Sequence, residues 1–142
     1  MTSSVYVYEL FFDGCSKGNP GLAGAGAVIY NHLNKEIWCK SSFVGKKETN
    51  NVAEYSGLIL GLEEALKMEG GCIRNLIVKG DSKLIIEQMK GNYKVNSPNL
   101  LQLYNKANEL IRLGKFESID FIHVYRNENK RADELSNLGL IL

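Results

Sequence analysis

Leu10-Phe11-Phe12-Asp13-Gly14-Cys15-Ser16-Lys17-Gly18-Asn19-Pro20-Gly21 decides how this chain reads. The apolar run Val5 to Phe12 predicts a strand apolar on both faces, and Asp13 closes it. Gly14, Gly18, Pro20 and Gly21 predict a turn directly afterwards. A carboxylate at the carboxyl end of a central strand stands where open α/β sheets form their ligand crevice. The same Asp is also an ordinary opening to a Gly-rich turn. The choice depends on whether other carboxylates reach the same edge.

Working outward, Ala25 to Tyr30 predicts a second strand and Glu36 to Phe43, around Trp38, a third. The short link Asn31-His32-Leu33-Asn34 makes these three an antiparallel meander. Gly21-Leu22-Ala23-Gly24-Ala25-Gly26 looks like a dinucleotide fingerprint but fails its context, because Val28 and Ile29 continue as strand and no helix opens. Those glycines predict close backbone approach or a bulge. From Asn51 the period changes: Val52, Tyr55, Ile59, Leu62 and Leu66 recur at helical spacing until Gly70-Gly71. Asn75 to Lys79 predicts a short buried strand closed by Gly80-Asp81, and Ser82 to Lys90 a short helix. Pro98 opens a longer helix, Ser118 to Val124 alternates as a last strand, and Lys130 to Leu138 is a final helix. The order βββαβααβα predicts an α/β fold, a mixed five-stranded sheet with helices packed on it.

The 142 residues suit one domain, 1–142, long enough for a real core. Apolar content of 44% and charged content of 23% are those of a globular protein. No apolar run is long enough to cross a bilayer, and Met1-Thr2-Ser3-Ser4 lacks the features of a secretion signal. Cys15, Cys39 and Cys72 fit neither a disulfide nor a zinc pattern and suit a reducing compartment. A cytoplasmic (in a eukaryote, nuclear) monomer without membrane attachment is expected. The net charge of +1 argues against holding nucleic acid by bulk charge. The clusters Lys46-Lys47 and Arg126, Lys130, Arg131 read first as solvated faces.

Four acids occupy privileged places: Asp13 and Asp81 after strands, Glu54 and Asp133 in first helical turns. Each has a structural reading as well. Asn51 with Glu54 resembles a capping box, Asp81 could cap the helix opening at Ser82, and Asp133 could complement a helix dipole. Those readings leave Glu54 unexplained. It shares a face with Leu58, Gly61 and Ala65, a small and apolar stripe, so it is partly buried beside the sheet. Burying a carboxylate without a counter-charge is unfavourable, and clustered carboxylates raise one another's pKa. A cation resolves both conflicts. Oxygen-only ligands select Mg²⁺ or Mn²⁺, and two such ions about 3.5–4 Å apart serve in-line displacement at phosphorus. No protein nucleophile competes: Ser16 and Ser82 lack a neighbouring His, and Asp13 disfavours a thiolate at Cys15.

Four segments, in order and with compatible spacing, resemble type 1 ribonuclease H over nearly the whole chain: Phe12 to Gly21, Thr49 to Tyr55, Lys79 to Ser82, and Arg126 to Leu135. The resemblance implies a ribonuclease H-like fold and an endonuclease that hydrolyses the RNA strand of RNA–DNA hybrids, leaving 5′-phosphate and 3′-hydroxyl ends. It implies Asp13, Glu54, Asp81 and Asp133 as catalytic and metal-binding residues, with two Mg²⁺ as cofactor and Mn²⁺ as a substitute. Asn19, Asn50 and Asn51 match positions that contact the hybrid's minor groove, where amides both donate to and accept from the ribose 2′-hydroxyl. Thr49 matches a position associated with a DNA-strand phosphate. Double-stranded RNA is a further substrate within this class.

The chain departs from the family in three places. Val124 to Glu128 is short and carries no His, whereas many members have a flexible loop His there; His123 lies inside the predicted strand and reads as structural. Gly91 to Pro98 is a brief connection in place of a basic protrusion, although Tyr93 offers a ring for stacking. No separate hybrid-binding domain is expected before Tyr6. These features resemble the compact archaeal-type and plant-type subgroup and predict weaker substrate binding and slower or more Mn²⁺-dependent turnover. The competing reading is a non-catalytic nucleic-acid-binding module of the same fold, which would be expected to have lost at least one of the acids.

Overall fold

A computed structural model describes residues 6–68 and 74–142. The elements are β1 (Val7–Lys17), β2 (Gly21–Tyr30), β3 (Glu36–Glu48), α1 (Asn50–Ala65), β4 (Asn75–Gly80), α2 (Lys83–Met89), α3 (Pro98–Gly114), β5 (Ser118–His123) and α4 (Lys130–Gly139). They form one mixed sheet in the order β3-β2-β1-β4-β5. β1, β2 and β3 pair antiparallel as a meander, while β4 and β5 join parallel to β1. The expected fold and element order are both present. Val5 and the Gly70-Gly71 helix stop lie outside the described residues.

Two layers of helix cover the sheet. Leu10, Phe12, Ile29, Leu76 and Val78 from the strands meet Tyr55, Leu58 and Leu62 of α1 in the main core. Burying each large side chain contributes about 1.5–3 kcal/mol. Tyr55 ties α1 to α2 as well, its hydroxyl donating to Gln88 Oε1 at 2.6 Å inside that core. α4 packs Ala132 and Leu135 against Val28 in a second, smaller cluster. Its close approach requires bare backbone on β2: a Cβ at Gly26 would lie 2.5 Å from Leu135 Cβ, and one at Gly24 2.3 Å from Ser136 O. The Gly-rich run therefore has both expected features, since β2 also shifts register between Gly21 and Gly24.

The structure corrects three local expectations. β1 does not end at Phe12 but continues to Lys17, because Asp13 to Lys17 go on pairing with Gly26 to Leu22. Gly14 is thus a strand residue, and the turn is confined to Gly18, Asn19 and Pro20, with Gly18 at φ 114°. α1 opens one residue earlier than Asn51: Thr49 is its N-cap, at φ −85° and ψ 164°, and its hydroxyl oxygen accepts from Val52 N at 3.3 Å. α2 is capped by Ser82, which accepts from Ile85 N at 3.3 Å, so Asp81 is not engaged in capping.

Candidate active site

The last pair of the parallel β1–β4 ladder is Phe12 with Gly80. Asp13 and Asp81 are the next residue on each strand, so the register alone sets them side by side where the two strands part. Glu54 arrives from the first turns of α1. The helix comes this close because Gly14 has no side chain: a Cβ there would lie 2.2 Å from Ala53 C and 2.3 Å from Glu54 N. One carboxylate oxygen from each of Asp13, Glu54 and Asp81 lies within 4.8 Å of the others. Asp13 is 5% and Glu54 9% exposed, while Asp81 is half-buried. The sequence expectation that Glu54 is buried on a small-residue face is met, with Leu58, Gly61 and Ala65 buried beside it.

Asp133, the fourth expected acid, stands apart. It is exposed on the first turn of α4 and outside the close trio; Asn137 Nδ2 donates to its Oδ1 at 3.4 Å. It is still near enough for its charge to act on Asp13. Asn129, which no pattern in the sequence marked as functional, enters the site instead. It is buried at 1% exposure, and its Nδ2 donates to Asp81 Oδ2 at 3.3 Å. The available signal was a polar residue immediately before a helix whose next apolar positions, Ala132 and Leu135, are core.

The electrostatics of the trio favour a cation. Burial, then the Asp81 charge, pushes the Asp13 carboxyl up to about 7, although Glu54 and the Gly14 amide, 2.9 Å from Oδ1, oppose the shift. Burial, then the Asp13 charge, raises Glu54 well above the usual carboxylate range. Glu54 Oε1 is buried without a hydrogen-bond partner. An orphaned buried acceptor among crowded acids suits a hard divalent ion with oxygen ligands, so the residues fit the metal that the sequence resemblance implies.

These shifts predict a pH dependence. An unfolded Asp titrates near 3.9, so between there and about 7 the folded protein holds the extra proton. Stability from this group is therefore full below the unfolded value and is lost as pH rises through about 7. In EDTA the melting temperature should fall between pH 5 and 8, and Asp13→Asn should flatten that fall. Divalent ions should restore the melting temperature most at the alkaline end.

Around the trio, the β1–β2 turn is laced to the start of α1. Asn19 Oδ1 accepts from Asn50 N at 2.8 Å, and Asn50 Oδ1 accepts from Ser16 N at 2.8 Å. Each side chain has its oxygen engaged, and among the described residues its Nδ2 donates to nothing. Asn19, Thr49 and Asn51 line a cleft of about 320 Å³ with Ser97, Asn99 and Leu100. Lys46 and Lys47 are exposed. Arg131 is not free: it pairs with Glu36 at 2.8 Å and also with Glu134. His123 is half-buried, its ring 5.5 Å from that of Tyr125.

A mixed sheet split at β1–β4, with three carboxylates at the split, defines a ribonuclease H-like domain. Comparison with known proteins agrees. Residues 11–139 match the protein family described as Reverse transcriptase-like. The chain is 43% identical over 125 residues to the Bifunctional protein Rv2228c of Mycobacterium tuberculosis, covering 88% of this chain and 33% of that protein. It superposes on the N-terminal RNase H domain of that protein with a TM-score of 0.88 at 39% identity, covering 96% and 95% of the two chains. It is 33% identical to the Ribonuclease H of Dechloromonas aromatica, covering 93% of this chain and 92% of the other. LC11-RNase H1, solved in complex with an RNA/DNA hybrid, aligns with a TM-score of 0.87 at 34% identity, covering 94% and 96%. The chain belongs to the ribonuclease H family, type 1, a family of hydrolytic nucleases. It spans about a third of the length of the mycobacterial relatives, 33% of each. Among the described residues no helix is long and apolar enough to cross a membrane.

Proposed function

We propose that this chain is an endonuclease that hydrolyses the RNA strand of RNA–DNA hybrids, leaving 5′-phosphate and 3′-hydroxyl ends. The observation that carries the reading is the buried trio Asp13, Glu54 and Asp81, with oxygens within 4.8 Å and Glu54 Oε1 unpartnered. Asp13, Glu54 and Asp81 would hold divalent metal, with Asp133 completing the set from the rim. Two Mg²⁺ are the proposed cofactor, with Mn²⁺ able to replace them. Bound there, the metal supplies an ionised water at neutral pH and stabilises charge on the leaving oxygen.

The protein's own residues have three tasks. Asp13 and Glu54, whose carboxyls burial and mutual repulsion keep protonated, would lose those protons to bind metal, so loading would be favoured as pH rises. Asn19, Asn50 and Asn51 select the ribose-bearing strand. With Oδ1 engaged in the fold, Asn19 and Asn50 act there as donors from Nδ2, which narrows the expected two-way readout of the 2′-hydroxyl. Thr49, in the cleft with Ser97 and Asn99, offers a neutral donor to a phosphate of the DNA strand. The domain 1–142 acts as a monomer in this reading.

The test is a panel of labelled RNA–DNA hybrid, double-stranded RNA, single-stranded RNA and double-stranded DNA, each with Mg²⁺ or Mn²⁺. Internal cleavage of the hybrid's RNA strand is expected, faster with Mn²⁺, with products extendable from their 3′ ends by a polymerase. Cleavage of double-stranded RNA would widen the substrate class. Binding of hybrid without cleavage under either ion would establish a binding module instead.

A further inference from the structure

Asn129 links three parts of the site that are far apart in sequence. Its Nδ2 donates to Phe12 O at 3.0 Å, at the end of the β1–β4 ladder, and to Asp81 Oδ2 at 3.3 Å. A carbonyl oxygen accepts only from a donor, so Phe12 O sets which way the amide faces. The Asn129 backbone carbonyl in turn accepts from Asp133 N at 3.1 Å, in the first turn of α4. One residue thus touches strand β1, the Asp81 carboxylate and the helical turn that carries Asp133.

Stability alone does not explain the amide, although Nδ2 supplies a donor to the buried Phe12 O. Its Oδ1 is buried with no hydrogen-bond partner. An unmet buried acceptor is unfavourable; an aliphatic side chain of similar size would avoid it, but only by withdrawing the donor from Phe12 O. Nor does helix capping explain it, because no side-chain capping bond forms at this N-cap. What neither capping nor the bond to Phe12 O accounts for is the hold on Asp81. That carboxylate follows the last ladder pair and has no other hydrogen-bonding side chain to orient it among the described residues.

We infer that Asn129 is a positioning residue, which holds Asp81 in the orientation that meets Asp13 and Glu54 and ties the turn bearing Asp133 to the same point. The role rests on the metal reading proposed above. Two variants test it. Asn129→Ala removes the donor, and Asn129→Leu removes it while filling the volume, with the loss of the bond to Phe12 O offset by elimination of the orphaned Oδ1. Mn²⁺ affinity is measured by calorimetry without nucleic acid, well below each melting temperature, with the metal-free melting temperature and hybrid kinetics alongside. Both variants should bind Mn²⁺ on the order of tenfold more weakly, the loss expected of an unoriented ligand. Leu should keep the metal-free melting temperature within a few degrees of the parent. kcat should fall by at least a similar factor while KM for hybrid stays within about twofold. Variants that bind Mn²⁺ like the parent, or that lose only thermal stability, would show a core amide and overturn the inference. A parent that itself binds no Mn²⁺ would overturn the metal reading, and the positioning role with it.

Discussion

Asp81→Asn and Glu54→Gln each reduce hybrid cleavage on the order of 10³-fold while changing hybrid binding only a few-fold. Each substitution removes an ionisable oxygen, the proposed metal ligand, from a three-carboxylate cluster whose members lie within 4.8 Å. Losing roughly 4 kcal/mol of transition-state stabilisation corresponds to that factor. The side chains proposed to grip the nucleic acid lie elsewhere, at the β1–β2 turn and the start of α1, so binding survives. Stability moves the opposite way for Glu54→Gln. A neutral amide at a 9%-exposed position relieves both burial and repulsion from Asp13, so the metal-free melting temperature rises. The protection given by Mg²⁺ or Mn²⁺ shrinks, because ligand stabilisation follows affinity for the folded site. Single-turnover cleavage and thermal melts with and without ion measure both effects. Variants as active as the parent would remove these carboxylates from the chemistry.

Gly14→Ala destabilises the protein by about 3 kcal/mol or more, a fall in melting temperature of roughly 10 °C. The new methyl would sit 2.2 Å from Ala53 C and 2.4 Å from Ala53 O. These are backbone atoms and cannot rotate aside, so α1 must lift from β1 and carry Glu54 with it. The variant should therefore also bind Mn²⁺ more weakly at temperatures where it is still folded. Gly45→Ala is the control. The three atoms nearest its methyl all belong to the flexible Glu48 side chain, with Cγ at 2.8 Å, and stability should change by less than about 1 kcal/mol. Equal melting temperatures for the Gly14 variant and the parent would contradict the contact between β1 and α1.

The small-residue face of α1 is legible in the sequence because helical periodicity is local. Glu54 falls on the stripe with Leu58, Gly61 and Ala65, and that stripe is buried. The change from strand to helix after Asn51 and the meander of the first three strands are legible for the same reason. The capping residue is not. Thr49, Asn50 and Asn51 all suit an N-cap, and only the backbone angles of Thr49 decide among them. The end of β1 is not legible either. Glycine and proline signal a turn, but partners on β2 keep Asp13 to Lys17 in strand. Asn129 escapes because its value lies in Phe12 O and Asp81 Oδ2, which reach it only through the sheet.

The sequence by itself determined the element order, the kinds of acid present and the burial of Glu54, since residue type and period act over a few neighbours. Tertiary structure decided which acids meet. The register Phe12 with Gly80 sets Asp13 beside Asp81, and bare backbone at Gly14 admits Glu54. The same packing leaves Asp133 on the exposed rim and brings Asn129 inside. Proximity between residues so far apart along the chain is a product of strand pairing and helix packing, which no local pattern encodes.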